Sequence, residues 1–588
     1  MCRVGFFLLI ALGIGCNTQP ARDSNERPNI IVIQVDDLGY NDLGVHGNTW
    51  VHTPNLDRMA ERSVQYRQFY VNPVCSATRA SFLTGRHFLK TGVSHVHGGK
   101  DYLHLSEVTL ADVLHEAGYR TGTWGKWHVG KTYGYLPRDR GFDESYVADL
   151  YQHRNTSGSW NGGRVAHQRW ADEVIVDYAI DFIDRSGSQP FFAYLSSMTC
   201  HGPLDARQDL IDKYLAKGLS KGLATLYAMV EMLDAEVGRL LAHLEDQGLA
   251  EKTIVFFLSD NGPAVNRREL SDKDHDQRRV NPFKGFKGNI WENGVKSPLF
   301  VLWPETIAAG ISDGLADVTD LFPTITHLAG AKYKHEVDGQ VLSTFSQAET
   351  QAKLSFNYAN PAWPPTGAAW TPEGILDEYR PIQRKELMVE DQIISVRRGD
   401  YKLLLNPAVN MNASAAGAPW ALYNITMDPY EEQNLIGKGI PEEAQLIGQL
   451  TEWFVDEIQA GDHSFQMPLH WVEKDTAVIY AVGAENISAS IVPTFNWLSN
   501  WEVPEAFAVY QVQWSETGDY LIEVDHSEVV NVPFSVVIGE VKVPFTLNGR
   551  VSGVTVEDIP AGKHTLTLQK QGDGATVERI NKLRVIKL

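Results

Sequence analysis

RPNIIVIQVDDLGYND, residues 27–42, carries an apolar run over 30–35 that leads directly into two adjacent carboxylates, Asp36 and Asp37. A short continuous apolar run followed by polar residues reads as a buried strand. The two acids therefore fall where the chain leaves a sheet. Runs at 191–195, 254–258 and 299–303 read the same way, and helical patterns lie between them. One of these places Leu223, Leu226, Met229, Leu233, Val237, Leu240 and Leu244 at three- and four-residue steps, giving one apolar face that can cover a sheet. Strands alternating with helices predict an α/β fold with a mainly parallel sheet, whose ligands gather beyond the carboxyl ends of the strands.

At 588 residues the chain is too long for one core, so two or three domains are expected. From about 357 the rhythm changes to a passage rich in proline and tryptophan. A strand-like YKLLL at 401–405, WALYNITMDPYEEQNL at 420–435 and a helix near 442–458 follow. This predicts a small α+β subdomain over 351–467 packed on a catalytic α/β domain over 28–350. Beyond Pro468, segments such as 519–526, 533–547 and 561–571 alternate with period two between turn signals, which predicts an appended β-sandwich over 468–588.

The first 16 residues, MCRVGFFLLIALGIGC, combine a basic start at Arg3 with an apolar run too short to span roughly 30 Å of hydrocarbon comfortably. They read as a secretory signal, followed by a polar tether over 17–27. The reading is an exported protein: periplasmic, tethered to the outer membrane or secreted. Cys16 is compatible with lipid attachment and equally with simple cleavage. Cys75 and Cys200 are then the only cysteines left, so no disulfide framework is expected, and either thiol taken alone reads as a small buried hydrophobe. A net charge of -21 argues against nucleic acid and anionic membrane surfaces as general partners.

Chemistry-bearing residues cluster after the predicted strands. The strand at 254–258 empties into SDNGPA, placing Asp260 and Asn261 at an edge equivalent to that of Asp36 and Asp37. Each pair alone reads equally as a turn or cap. Together they form an all-oxygen set that suits calcium better than zinc. GKWHVGK offers Lys126 and His128, SSMTCHGPL delivers His201, and FKGFKGNIWENG supplies Lys284 and Lys287. Such a set around a cation is built to hold an oxyanion and to pass a proton to a leaving group. NPVCSATRASFLTGRH, 72–87, adds Cys75 and Arg79 in what reads as a loop bordered by Pro73 and Gly85.

CSATRASFLTGR resembles the type I sulfatase signature, a cysteine followed by x-P-x-R and then T-G-R. The resemblance runs through most of 29–465, including TPNLDRMA, GYRTGTWGKWHVG, LPRDRGFDESY, LSDNGP and FKGNIWENGVKSP. It implies an alkaline-phosphatase-like fold. It also implies that a maturation enzyme oxidises Cys75 to formylglycine, whose hydrated aldehyde attacks sulfur and forms a covalent sulfate ester. By the same resemblance Asp36, Asp37, Asp260 and Asn261, with the modified Cys75, hold one calcium ion. Arg79 holds the formylglycine and Lys126 and Lys287 bind sulfate oxygens. His128 serves the formylglycine hydroxyl, and His201 protonates the departing alcohol with help from Lys287. Ala77 stands where the signature usually has proline, which leaves the identity of the maturase open.

Export and the added sandwich point to a sulfated polysaccharide, of algal origin, or its oligosaccharides. The alternatives are small aryl sulfates, phosphonate or phosphodiester hydrolysis, and a noncatalytic glycan-binding role. The segment NRRELSDKDHDQRRV, 266–280, reads either as a solvated loop or as a subsite wall whose Arg267, Arg268, Arg278 and Arg279 meet further sulfates or carboxylates. Asn293 and Lys296 read as surface variation. Trp497, Trp501 and Trp514 read as core residues rather than sugar platforms.

Overall fold

The computed structural model describes residues 27–96, 100–346, 353–359, 388–407, 419–460, 469–472, 476–488, 490–493, 497–526 and 530–588. The expected signal, most of the tether with Cys16, and most of the proline- and tryptophan-rich passage lie outside them.

A ten-stranded sheet organises the first part of the chain. Its strands are β1 (Asn29–Val35), β2 (Val64–Tyr70), β3 (Arg120–Gly125), β4 (Glu144–Ala148), β5 (Ser157–Trp160), β6 (Gly163–Ala166), β7 (Phe191–Ser196), β8 (Thr253–Ser259), β9 (Leu299–Leu302) and β10 (Gly310–Asp317), in the order β10-β2-β9-β8-β1-β7-β3-β4-β5-β6. Strand β1 pairs in parallel with β7 and β8, and β3 with β7 and β4, while β9 and β5 run against their neighbours. All four strands expected from apolar runs are present. Strand β1 lacks polar alternation because both of its faces are covered: Ile30 and Val32 enter one core, and Ile31, Ile33 and Val35 the other.

Helices cover both faces. They include α1 (Pro54–Glu61), α2 (Cys75–Thr84), α3 (Leu110–Glu116), α4 (Ala171–Ser186), α5 (Gln208–Leu215), α6 (Lys221–Asp246) and α7 (Asp272–Arg278). All seven leucine, methionine and valine positions predicted for the apolar face of α6 are buried. Residues 75–84 are a helix and not a loop. All ten of them are buried, so no polar face marks the helix in the sequence, and Gly85 ends it in a left-handed conformation at φ 69°.

Beyond this sheet, β11 (Ser355–Ala359), β12 (Ile393–Arg398), β13 (Tyr401–Leu405) and β14 (Trp420–Asn424) form an antiparallel sheet. The helix Pro441–Glu452 packs on it. The last part holds two further sheets, almost wholly antiparallel, that enclose their own core. Trp501 and Trp514 are buried in that core, while Trp497 carries the Arg579 guanidinium 3.8 Å from its ring centroid. Among the described residues no helix is long and apolar enough to cross a membrane.

Candidate active site

Five strand exits, those of β1, β2, β3, β7 and β8, meet at one edge of the sheet. Backbone bonds tie them together: Asp260 N donates to Val35 O at 2.9 Å, and Asp36 N to Thr199 O at 2.9 Å. Asp37 leaves β1 at φ 60°, a left-handed conformation that turns its carboxylate toward the exit of β8. There its main-chain N–H donates to Asp260 Oδ1 at 3.2 Å, and Asn261 Nδ2 donates to Asp37 Oδ1 at 2.8 Å. Cys75, the first residue of α2, completes the group: ligand atoms of Asp36, Cys75 and Asp260 lie within 4.8 Å of one another.

Cations surround this cluster. Arg79, one turn along α2, donates Nε and Nη2 to Asp260 Oδ2 at 3.1 and 2.7 Å and is wholly buried. Lys126 Nζ lies 2.6 Å from Asp36 Oδ2, and Lys287 Nζ lies 2.6 Å from Asp37 Oδ1. The segment carrying Lys287 is itself pinned to the cysteine turn, because Gly288 N donates to Pro73 O at 2.8 Å. Both lysines are held above their ordinary range. Burial works against them, and the facing aspartates overcome it.

The two imidazoles have defined tautomers. His128 Nε2 faces the Val96 carbonyl at 2.8 Å and must donate there, so Nδ1 turns its lone pair to Cys75 Sγ at 3.3 Å. His201 Nδ1 donates to Gly202 O at 2.6 Å, leaving Nε2 3.8 Å from Asp37 Oδ2. Burial lowers His201 to about 4; Asp37 pulls the other way, and Lys287 and Lys126 add to the lowering. Burial also pushes the Cys75 thiol up, against the pull of Lys126 and Lys287. This disfavours the thiolate, so the unmodified side chain is a poor nucleophile.

Asp36 Oδ1, Asp37 Oδ2 and Asn261 Oδ1 are buried acceptors without a hydrogen-bond partner among the described residues. Buried acceptors seldom go unpaired, and three of them beside Asp260 and Cys75 suit a hard, oxygen-seeking divalent cation. Asp260 is pushed up to about 6 by burial and by Asp36, with Arg79 opposing. Such crowding of carboxylates is relieved when a dication lies among them. The residues thus fit the expected metal.

Asp36, Asp37, Cys75, Arg79, Lys126, His128, His201, Asp260, Asn261 and Lys287 lie in this one network. Lys284 does not: its Nζ donates to Glu431 O at 2.6 Å and faces Trp291. Arg278 is withdrawn from any substrate by a buried pair with Asp42, at 2.7 and 2.5 Å. Asn293 and Lys296 are buried rather than superficial, and Lys296 packs among Tyr40, Tyr70 and Phe283 near Glu292.

Two residues escaped the sequence reading. Tyr151 stacks on His201, with centroids 4.0 Å apart and planes 14° apart, and lies 5.7 Å under the Lys126 ammonium. Asp172, in the first turn of α4, accepts from Ser197 Oγ and Thr199 Oγ1, both at 2.6 Å, and so fixes the turn that carries His201. Neither belongs to a motif, and an acid in a helix's first turn is commonplace. Tyr151→Ala is expected to lower kcat/KM about tenfold or more through a misplaced His201, while Tyr151→Phe, which keeps the stacking ring, stays near the parent. Equal losses in both variants would contradict the stacking role.

Comparison with known proteins decides the family. The Sulfatase family matches residues 28–331, and human (Homo sapiens) arylsulfatase A is 31% identical over 477 residues, covering 72% of this chain and 87% of that protein. The chain belongs to the sulfatase family. The mouse (Mus musculus) N-acetylgalactosamine-6-sulfatase is 30% identical over 388 residues, covering 60% of this sulfatase and 71% of the relative. Among solved structures, Ps i-CgsB in complex with k-i-k-neocarrahexaose superposes with a TM-score of 0.61 at 24% identity, covering 74% of this chain and 94% of that one. That likeness extends to the fold, which is of the alkaline-phosphatase type expected for sulfatases. The sulfatase is accordingly a sulfuric ester hydrolase.

Proposed function

We propose that this sulfatase removes sulfate from a sulfated polysaccharide, of algal origin, or from its oligosaccharides, and that it works outside the cytoplasm. Formylglycine made from Cys75 by a maturation enzyme would supply the attacking oxygen and a covalent sulfate intermediate, and one calcium ion would supply charge stabilisation. Asp36, Asp37, Asp260 and Asn261 would hold that ion together with the side chain at position 75. The observation that carries the reading is the convergence of Asp36, Cys75 and Asp260 within 4.8 Å, ringed by Arg79, Lys126 and Lys287.

Each surrounding group has a task that its geometry supports. Arg79, locked on Asp260, orients the side chain at position 75 from one turn away. Lys126, paired with Asp36, and Lys287, paired with Asp37, offer ammonium groups to the sulfuryl oxygens. The Nδ1 lone pair of His128 points at position 75 and is placed to take a proton from a hydroxyl there. His201, neutral at rest, takes up its proton when the anionic ester is bound beside it, and with Lys287 delivers it to the leaving alcohol.

The glycan substrate is supported by the likeness to a structure solved with a neocarrahexaose and to an N-acetylgalactosamine-6-sulfatase. The short apolar start of the chain, which reads as a secretory signal, supports export. The test is desulfation of defined carrageenan, fucoidan, ulvan and glycosaminoglycan oligosaccharides, beside an aryl sulfate and an aryl phosphodiester. Release of sulfate from at least one oligosaccharide, in preference to the phosphodiester, is expected. Chelation should suppress this activity and lower the thermal midpoint, with calcium restoring both; a chelated enzyme of unchanged activity and midpoint would exclude the metal.

A further inference from the structure

Beside the catalytic cluster lies a cavity of about 310 Å3. Gly39, Pro263 and Phe286 form part of its wall, two, two and one residues from Asp37, Asn261 and Lys287. The loop after β8 that lines it also braces the turn of the candidate proton donor, since Leu204 N, three residues past His201, donates to Glu269 Oε1 at 2.7 Å. Cavity and catalytic edge are thus built on the same segments. The volume is at the lower end of the roughly 300–1,000 Å3 typical of small-molecule sites.

The lining excludes a second sulfate pocket. Its three arginines, Arg267, Arg278 and Arg279, are matched by Asp42, Asp272 and Asp276. Two of these are closed as ion pairs, Arg278 with Asp42 and Arg279 with Asp276. An added anion would meet no net positive charge. Sugar hydroxyls are a better match, because each both donates and accepts and can bridge a guanidinium to a carboxylate. His275 Nε2 and Asn293 Oδ1, on two lining residues, have no hydrogen-bond partner among the described residues, and Asn293 is 3% exposed. The Pro263 ring and the Phe286 side chain offer apolar surface for the C–H face of a pyranose.

We propose that this cavity is a saccharide subsite that binds, through ring hydroxyls, an uncharged unit of the substrate chain next to the residue losing its sulfate. The proposal rests on the polysaccharide reading and adds to it the recognition of a neighbouring sugar by Arg267, His275 and Asn293.

The test uses full-length Arg267→Ala, which alters an exposed loop residue, and His275→Ala. Each is assayed on the sulfated oligosaccharide that the parent turns over best, on its sulfated monosaccharide unit, and on an aryl sulfate. The ratio of kcat/KM for oligosaccharide over monosaccharide is expected to fall about tenfold in each variant, through KM, with the thermal midpoint unmoved. An unchanged ratio in both variants would overturn the subsite while leaving the sulfatase reading intact. A loss confined to substrates bearing a second sulfate would overturn it in favour of an anion site. A parent enzyme that cleaves aryl sulfate but none of the oligosaccharides would overturn the polysaccharide reading and the subsite together.

Discussion

Cys75→Ala is expected to reduce kcat on an aryl sulfate by about five orders of magnitude, the scale on which losing a covalent nucleophile acts. Position 75 is where the strand exits converge: its side chain lies within reach of Asp36, Asp260 and His128 Nδ1 at once. Alanine leaves the lysines, Arg79 and the aspartates in place but nothing for them to activate. The fold should tolerate the change, because a small side chain replaces another at the start of a helix whose Gly85 terminus and buried faces are unaltered. The measurement is kcat beside a melting curve. A stable variant with more than about a hundredth of the parent rate would exclude the covalent role.

The second large effect is on stability. Lys402, on β13, is buried and lies 2.9 Å from both Glu292 Oε1 and Glu431 Oε1. Tyr70 OH also donates to Glu292, and Glu292 N donates to Glu431 Oε2 at 2.9 Å. Burial and the Glu292 charge push Glu431 up to about 7, with Lys402 opposing. Lys402→Met would leave two buried carboxylates without the ammonium between them, which costs about 3–5 kcal/mol. The thermal midpoint should fall by on the order of 10 °C. Activity should fall as well, since Glu292 stands five residues from Lys287, and Lys284 Nζ donates to the Glu431 carbonyl. An unshifted midpoint would mean that the network does not hold the two parts of the chain together.

Much of the catalytic edge was legible in the sequence, for a physical reason. A strand covered on both faces must be a continuous apolar run, so its end is visible, and Asp36, Asp37, Asp260 and Asn261 follow such ends directly. His201 follows β7 by a short turn in the same way. Helix α2 was not legible as a helix, because a helix buried on every side has no polar stripe. The fate of Arg278 was hidden too. Its partner Asp42 lies 236 residues away, and only the folded chain shows that the pair is shut off from solvent. Lys296 misled for the same reason, its aromatic surroundings being assembled from Tyr40 and Tyr70 on segments far away in the chain. Tyr151 acts through a stack on His201 that no spacing rule announces.

The most direct test of the account is the mass of the peptide containing Cys75, taken from enzyme purified in active form. Formylglycine at position 75, with a mass below that of cysteine, is the predicted result. A fully active preparation in which that peptide carries only the unmodified thiol would contradict it.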